Sequence, residues 1–166
     1  VKVQYSVVIG DLRSDLRTDA PSKEFVRYYT ATTEKIEYPD EVRKFLDGIR
    51  DRPVDERLSA LESFLRRYLV YDTSKEASRL YRRYRGDLVT TALRDKRCDC
   101  DIAATVFVEI AKQEWSLPAR LVLGYHSDAD GKVTANEAHG WAEVYYFEEG
   151  RGAFSGRGYA WRSYDP

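Results

Sequence analysis

The feature that most constrains this chain is a change of hydrophobic period partway along it. Between residues 40 and 115 apolar side chains recur every three or four positions, whereas from residue 119 onward they alternate with polar ones. The first spacing puts one apolar stripe on a helix and the second puts one apolar face on a strand. Pro39-Asp40 opens the first helical stretch, with Val42, Phe45, Leu46 and Ile49 at i, i+3, i+4 and i+7. Pro53 to Glu56 opens a second, in which Leu58, Leu61, Phe64, Leu65 and Tyr68 share a face. A third runs from Cys100 to Trp115 with Ala103, Ala104, Phe107, Ile110 and Ala111 on one side, and Pro118 stops it. Three strands follow: Ala119 to Tyr125, a run that begins at His139, and a run that ends at Asp165. Asp130-Gly131 marks a tight turn in the loop from Ser127 to Ala135, and a Gly-rich loop spans Glu148 to Gly158. Helices first and consecutive antiparallel strands after them predict an α+β fold.

The first 40 residues read differently. Val1 to Gly10 alternates as a strand, and the polar stretch after it holds an extended piece at Phe25 to Tyr29. Residues 1–40 are therefore expected to form an N-terminal extension, the remnant of a preceding domain, and residues 41–166 the core. Thr73 to Arg97 is a mixed connector with short helical turns expected near Leu80 and from Leu88 to Leu93. A net charge of −1 over 166 residues offers no field for nucleic acid or an acidic membrane. The short basic run at Arg82 to Arg85 reads as a solvated face. No apolar run of about 18 residues is present, so no membrane span is expected within this segment. Val1 and Pro166 read as cut points, so a leader or anchor would lie outside it. Two cysteines one residue apart do not make a disulfide framework, and the compartment and oligomeric state stay open. Asp128 and Asp130 lack the further ligands that calcium needs, so neither a metal nor a cofactor is expected.

The chemistry-bearing residues come in the order Cys100, His139, Asp165. Cys100 stands at a helix start, where unpaired N–H groups and the helix dipole favour thiolate. His139 opens a strand and Asp165 closes another, so the imidazole can pair with the thiol while the carboxylate fixes its tautomer. Such a set performs nucleophilic acyl transfer through a thioester. The oxyanion would sit against the Cys100 N–H and a second donor, for which Tyr71, Tyr81 and Tyr84 are the candidates. Arg120 is expected to pair with a carboxylate near the core, Trp141 and Glu143 to share one face of their strand, and His126 to be exposed.

Cys100-Asp101-Ile102-Ala103-Ala104-Thr105-Val106-Phe107 resembles the Cys-x-x-x-Ala-x-x-Phe signature of the transglutaminase-like superfamily. Leu117 to Tyr125 resembles that family's Ile-Pro-Ala-Arg-x-Val-x-Gly-Tyr block, His139 to Tyr145 its His-x-Trp-x-Glu-Val-Tyr strand, and Asp165-Pro166 its closing Asp-Pro. Tyr68 to Tyr71 is similar to the family's approach to the core. The resemblance covers Val54 to Pro166 and implies a papain-like core in which Cys100, His139 and Asp165 form a catalytic triad. Three departures stand out. Cys98 replaces the Gly usual two residues before the nucleophile, the third helix is one residue longer, and Ser116 replaces the Gly that commonly ends it. An irregular helix end between Gln113 and Ser116 is therefore expected. Only Cys100 places Ala104 and Phe107 in register, which leaves Cys98 as a small filler or a strained redox partner.

The function that follows is thiol-dependent acyl transfer or hydrolysis at peptide or carboxamide bonds, in a transglutaminase-like domain of a larger protein. Its partner is a protein or peptide substrate. Transamidation, proteolysis and deamidation share the thioester and are not separated by spacing, although nothing identifies a dedicated second-amine site. The alternative is a non-enzymatic binding or scaffolding module that retains the fold.

Overall fold

A computed structural model describes residues 17–32, 35–74, 87–125, 138–148 and 158–166. In chain order the elements are α1 (Lys23–Thr30), α2 (Asp40–Ile49), α3 (Val54–Tyr68), β1 (Val70–Tyr71), α4 (Leu88–Asp95), β2 (Arg97–Cys98), α5 (Cys100–Trp115), β3 (Ala119–Tyr125), β4 (Ala138–Glu148) and β5 (Gly158–Tyr164). β3, β4 and β5 form an antiparallel sheet in that order, with Gly124 opposite His139 and Ala142 opposite Tyr164. β1 and β2 form a separate parallel pair, Val70 with Arg97 and Tyr71 with Cys98. The α+β expectation holds: helices precede an antiparallel sheet, and α5 packs on that sheet. Among the described residues no helix is long and apolar enough to cross a membrane.

The core is organised around α5. Ile102, Ala103, Ala104, Val106, Phe107, Val108, Ile110 and Ala111 are all buried, so this helix is apolar on nearly every side. Such a helix must lie inside, and it does, with β3 and β4 against one side and α3 and α4 against others. Leu58, Leu61 and Leu65 of α3 are completely buried, as their helical spacing requires. Phe107 is wholly buried and stacks on Tyr164 at 5.0 Å, and Tyr164 in turn meets the Tyr146 hydroxyl at 3.1 Å. Removing a ring so placed typically costs about 3–5 kcal/mol, so the end of β5 is anchored strongly.

Two local expectations are corrected. Phe25 to Tyr29 lies in α1 rather than in an extended strand. Its β-prone composition is overridden by Ser22, whose hydroxyl accepts the Phe25 N–H at 3.1 Å, and by the i,i+4 ring contact of Phe25 with Tyr29. α1 lies against the sheet through Phe25, which meets Tyr145 at 5.0 Å, and Tyr29, which meets Trp161 at 5.0 Å. The second correction is at the end of α5, which stays α-helical to Trp115. Ser116 then takes the left-handed conformation at φ 51°. Its N–H donates to the Lys112 carbonyl at 3.0 Å, and the Leu117 N–H to that of Ala111 at 3.2 Å. The cap is thus made without glycine, at a backbone cost that two hydrogen bonds and the burial around Pro118 and Ala119 outweigh. The turn expected from Leu88 to Leu93 is the full helix α4, and β3, β4 and β5 lie where the alternation places strands. The strand expected over residues 1–10, the turn near Leu80, Tyr81, the basic run 82–85, His126, the 127–135 loop and residues 149–157 lie outside the described residues.

Ser116 gives a direct test of this account. Ser116→Gly should raise the unfolding free energy by about 0.5–1 kcal/mol, because left-handed strain is relieved. Ser116→Val, branched at Cβ, should lower it. Thermal or urea denaturation of the two variants beside the parent reads both signs.

Candidate active site

The segment entering α5 is held before the helix begins. The Val70 N–H donates to the Lys96 carbonyl and the Asp72 N–H to the Cys98 carbonyl, each at 2.7 Å. Asp99 then caps α5, its Oδ1 accepting the Ile102 N–H at 3.0 Å. Cys100 therefore becomes the first helical residue, half-buried, with its sulfur beside open backbone N–H groups. Tyr71, the strand partner of Cys98, is largely exposed but brings its hydroxyl to the Cys100 thiol, and partial desolvation followed by that thiol pushes the phenol upward. Of the three tyrosines considered as donors, Tyr71 is placed here; Tyr81 and Tyr84 lie outside the described residues.

Cys98 points the other way. It is 4% exposed, its sulfur faces the Val70 carbonyl at 4.0 Å, and both cysteines are free. Burial pushes its thiol up to about 11, with Asp99 and Cys100 adding to the effect. A thiol so placed is inert, which fits the small-filler reading.

His139 reaches the helix start because of the residue that follows it. A Cβ on Gly140 would stand 2.4 Å from Asp101 Oδ1 and 3.2 Å from Asp101 Cα. Glycine alone lets β4 approach the first turn of α5 this closely, and the Gly140 N–H donates to the Cys100 sulfur. His139 is thereby carried to the same end of α5. Its Nε2 lies 3.0 Å from Asp165 Oδ1, the imidazole only 17% exposed and the carboxylate 49%. Of the three residues singled out, the structure thus joins His139 to Asp165 directly and joins Cys100 to the residue next to His139. His139 also stacks on Trp141, ring centroids 6.2 Å apart. Gly124 makes room for that indole, since a Cβ there would come within 2.8 Å of it. Trp141 and Glu143 share a face as expected, and Arg120 grips Glu143 at 2.6 and 2.8 Å while lying 4.1 Å above Trp161.

The electrostatics correct one expectation. Cys100 is held above the ordinary thiol value: burial raises it, the Gly140 N–H opposes this, and the Asp101 and Asp99 carboxylates raise it further. Asp101 also accepts the thiol at 3.5 Å. Burial and the two carboxylates thus act against the thiolate, and the Gly140 N–H acts for it. Asp101 and Gly140 were not singled out in the sequence, although a glycine inside an alternating strand is itself a signal of close backbone approach. Among the described residues no group of three or more His, Cys, Asp or Glu is placed to hold a metal ion.

Comparison with known proteins gives three findings. No curated protein matches this chain. Among solved structures, the periplasmic domain of TgpA from Pseudomonas aeruginosa superposes with a TM-score of 0.59 at 19% identity, covering 88% of this chain and 48% of that one. A protein described as a "Putative Cysteine Protease" from Cytophaga hutchinsonii does so with a TM-score of 0.56 at 15% identity, covering 93% and 47%. The chain spans about half the length of these structures, and at such identity the likeness is one of fold. The third finding concerns sequence: the profile of the transglutaminase-like superfamily matches residues 42–166, from the first turn of α2 through Cys100 and His139 to Asp165-Pro166. By that match the chain belongs to the transglutaminase-like superfamily.

Proposed function

We propose that this domain carries out thiol-dependent acyl transfer or hydrolysis at peptide or carboxamide bonds, with Cys100 as nucleophile, His139 as base and acid, and Asp165 as the group that orients His139. The observation that carries the reading is the 3.0 Å contact of His139 with Asp165, on a strand whose next N–H bonds the sulfur at a helix start. We take residues 41–166 as the catalytic unit and residues 1–40 as its extension.

On this reading the proton movements follow in order. Asp165 faces Nε2, so the Nε2–H tautomer is favoured and Nδ1 keeps its lone pair for the thiol. The thiol proton passes to Nδ1 and the sulfur attacks the substrate carbonyl, forming the S–C bond. The substrate carbonyl becomes an oxyanion, accepted by the unpaired Cys100 N–H and by the Tyr71 hydroxyl. The imidazolium then protonates the leaving nitrogen, the C–N bond breaks, and a thioester remains on Cys100. Water, deprotonated by His139, releases the acid and restores the thiol; a second amine would give the amide instead. The protease description of the Cytophaga hutchinsonii protein agrees with the hydrolytic branch.

Incubation with a glutamine-containing peptide and a fluorescent amine tests the reading and separates its branches. A shorter peptide marks proteolysis, ammonia release marks deamidation, and fluorescence on the peptide marks transamidation. Cys100→Ala should reduce whichever product forms by at least about 10³-fold. Equal rates in parent and variant would overturn the assignment of Cys100, and no product from the parent would leave the non-enzymatic module. Tyr71→Phe, which removes one hydroxyl, should lower kcat by about 10²-fold if that hydroxyl serves the oxyanion. Asp101→Asn removes a negative charge that opposes thiolate, so it should shift the Cys100 titration downward. Iodoacetamide labelling at neutral pH should then be faster at Cys100 and unchanged at Cys98.

A further inference from the structure

Asp165 is the first residue beyond β5, and the last strand pair before it is Ala142 with Tyr164. Neither backbone group of Asp165 belongs to the sheet ladder. Both nevertheless have side-chain partners, and both partners come from α3. The Asp165 N–H donates to Glu62 Oε1 at 2.9 Å, and the Asp165 carbonyl accepts from Arg66 Nε at 2.7 Å. Glu62 and Arg66 stand one turn apart on α3 and meet each other at 3.5 Å. Leu58, Leu61 and Leu65, all completely buried, fix the rotation of that helix.

We propose that Glu62 and Arg66 are positioning residues that clamp the peptide planes on either side of Asp165 and so aim its carboxylate at His139. The inference rests on the reading of Asp165 as the residue that orients His139. A simple tie between β5 and α3 would need one hydrogen bond anywhere along the strand end. Here two bonds straddle the single residue that contacts the imidazole, and each satisfies a group the sheet leaves open. With Asp165 about half-exposed, water competes for its carboxylate, and the side chain keeps its aim only if its backbone does not swing. On the other flank, Tyr164 is held by its stack on Phe107. The acid is therefore fixed from the core through Tyr164 and from α3 through Glu62 and Arg66.

The test uses the full chain with Glu62→Ala, Glu62→Gln and Arg66→Ala, and Asp165→Ala as reference. Two quantities are read: kcat and KM on the glutamine-containing peptide, and the pH profile of Cys100 alkylation by iodoacetamide. Circular dichroism and the thermal midpoint establish that each variant is folded at the assay temperature. Asp165→Ala should lower kcat and change the alkylation profile. Glu62→Ala and Arg66→Ala should each reproduce that profile change and lower kcat by about tenfold with KM little altered, as expected for a misaimed group. Glu62→Gln keeps an oxygen that accepts the Asp165 N–H and should return to within about twofold of the parent. If Asp165→Ala is impaired while folded Glu62→Ala and Arg66→Ala match the parent, the clamp is overturned and the triad stands. Glu62→Gln as impaired as Glu62→Ala would likewise overturn a clamp made by hydrogen bonding. If Asp165→Ala itself matches the parent in both readouts, the triad reading fails, and the clamp with it. Should Glu62→Ala not fold, Arg66→Ala and Glu62→Gln decide the matter.

Discussion

The close approach of β4 to the first turn of α5 at Gly140 is the contact on which the rest depends. The helical half supplies a thiol at a helix start, and the sheet half supplies an imidazole and a carboxylate at strand ends. The two halves come this close only because a residue without Cβ stands where any other would strike Asp101. The same glycine gives its N–H to the sulfur, so one position sets both the distance between the two halves and part of the sulfur's electrostatics. The surrounding packing reinforces it: Gly124 lets Trp141 lie flat, and Trp141 backs the His139 ring.

The sulfur's environment is a balance of opposing effects. A helix N-terminus favours an anion by about 0.3–1 kcal/mol at an exposed site, and a hydrogen bond from a backbone N–H adds to it. Burial acts against the anion, and the Asp101 and Asp99 carboxylates act with burial. Asp99 caps the helix, so the charge that helps form it also opposes ionisation of the thiol at its first residue. The outcome is a thiol held above its ordinary value by Asp99, Asp101 and burial together.

Much of this was readable in the residues themselves, for physical reasons. Helix α5 and strands β3 to β5 follow from periodicity because each buries a face in a layer, and burial leaves its mark at every third, fourth or second position. Cys100, His139 and Asp165 stand out in the sequence because each sits at an element boundary, where chain chemistry is most distinctive. Phe25 to Tyr29 misled because aromatic and β-branched residues suit strands locally, while their actual partners, Tyr145 and Trp161, lie more than a hundred residues away. Ser116 misled because side-chain preference for the left-handed region is weaker than the demand of Lys112 and Ala111 for donors. Glu62 and Arg66 had no signal at all: on a solvated helix flank they look like any i,i+4 ion pair, and their bonds to Asp165 span about a hundred residues of chain.

Helix α1 lies upstream of the stretch that matches the superfamily, yet its Phe25 and Tyr29 cover Tyr145 and Trp161 on the sheet. A polypeptide started at residue 42 would leave those rings wet, on the face that also holds Trp141 and the Arg120–Glu143 pair. Exposed aromatic surface of that kind invites self-association. Evolutionary kinship and thermodynamic self-sufficiency thus draw different borders on this chain: ancestry is legible from residue 42, while a sheet with a dry back begins with the helix at Lys23.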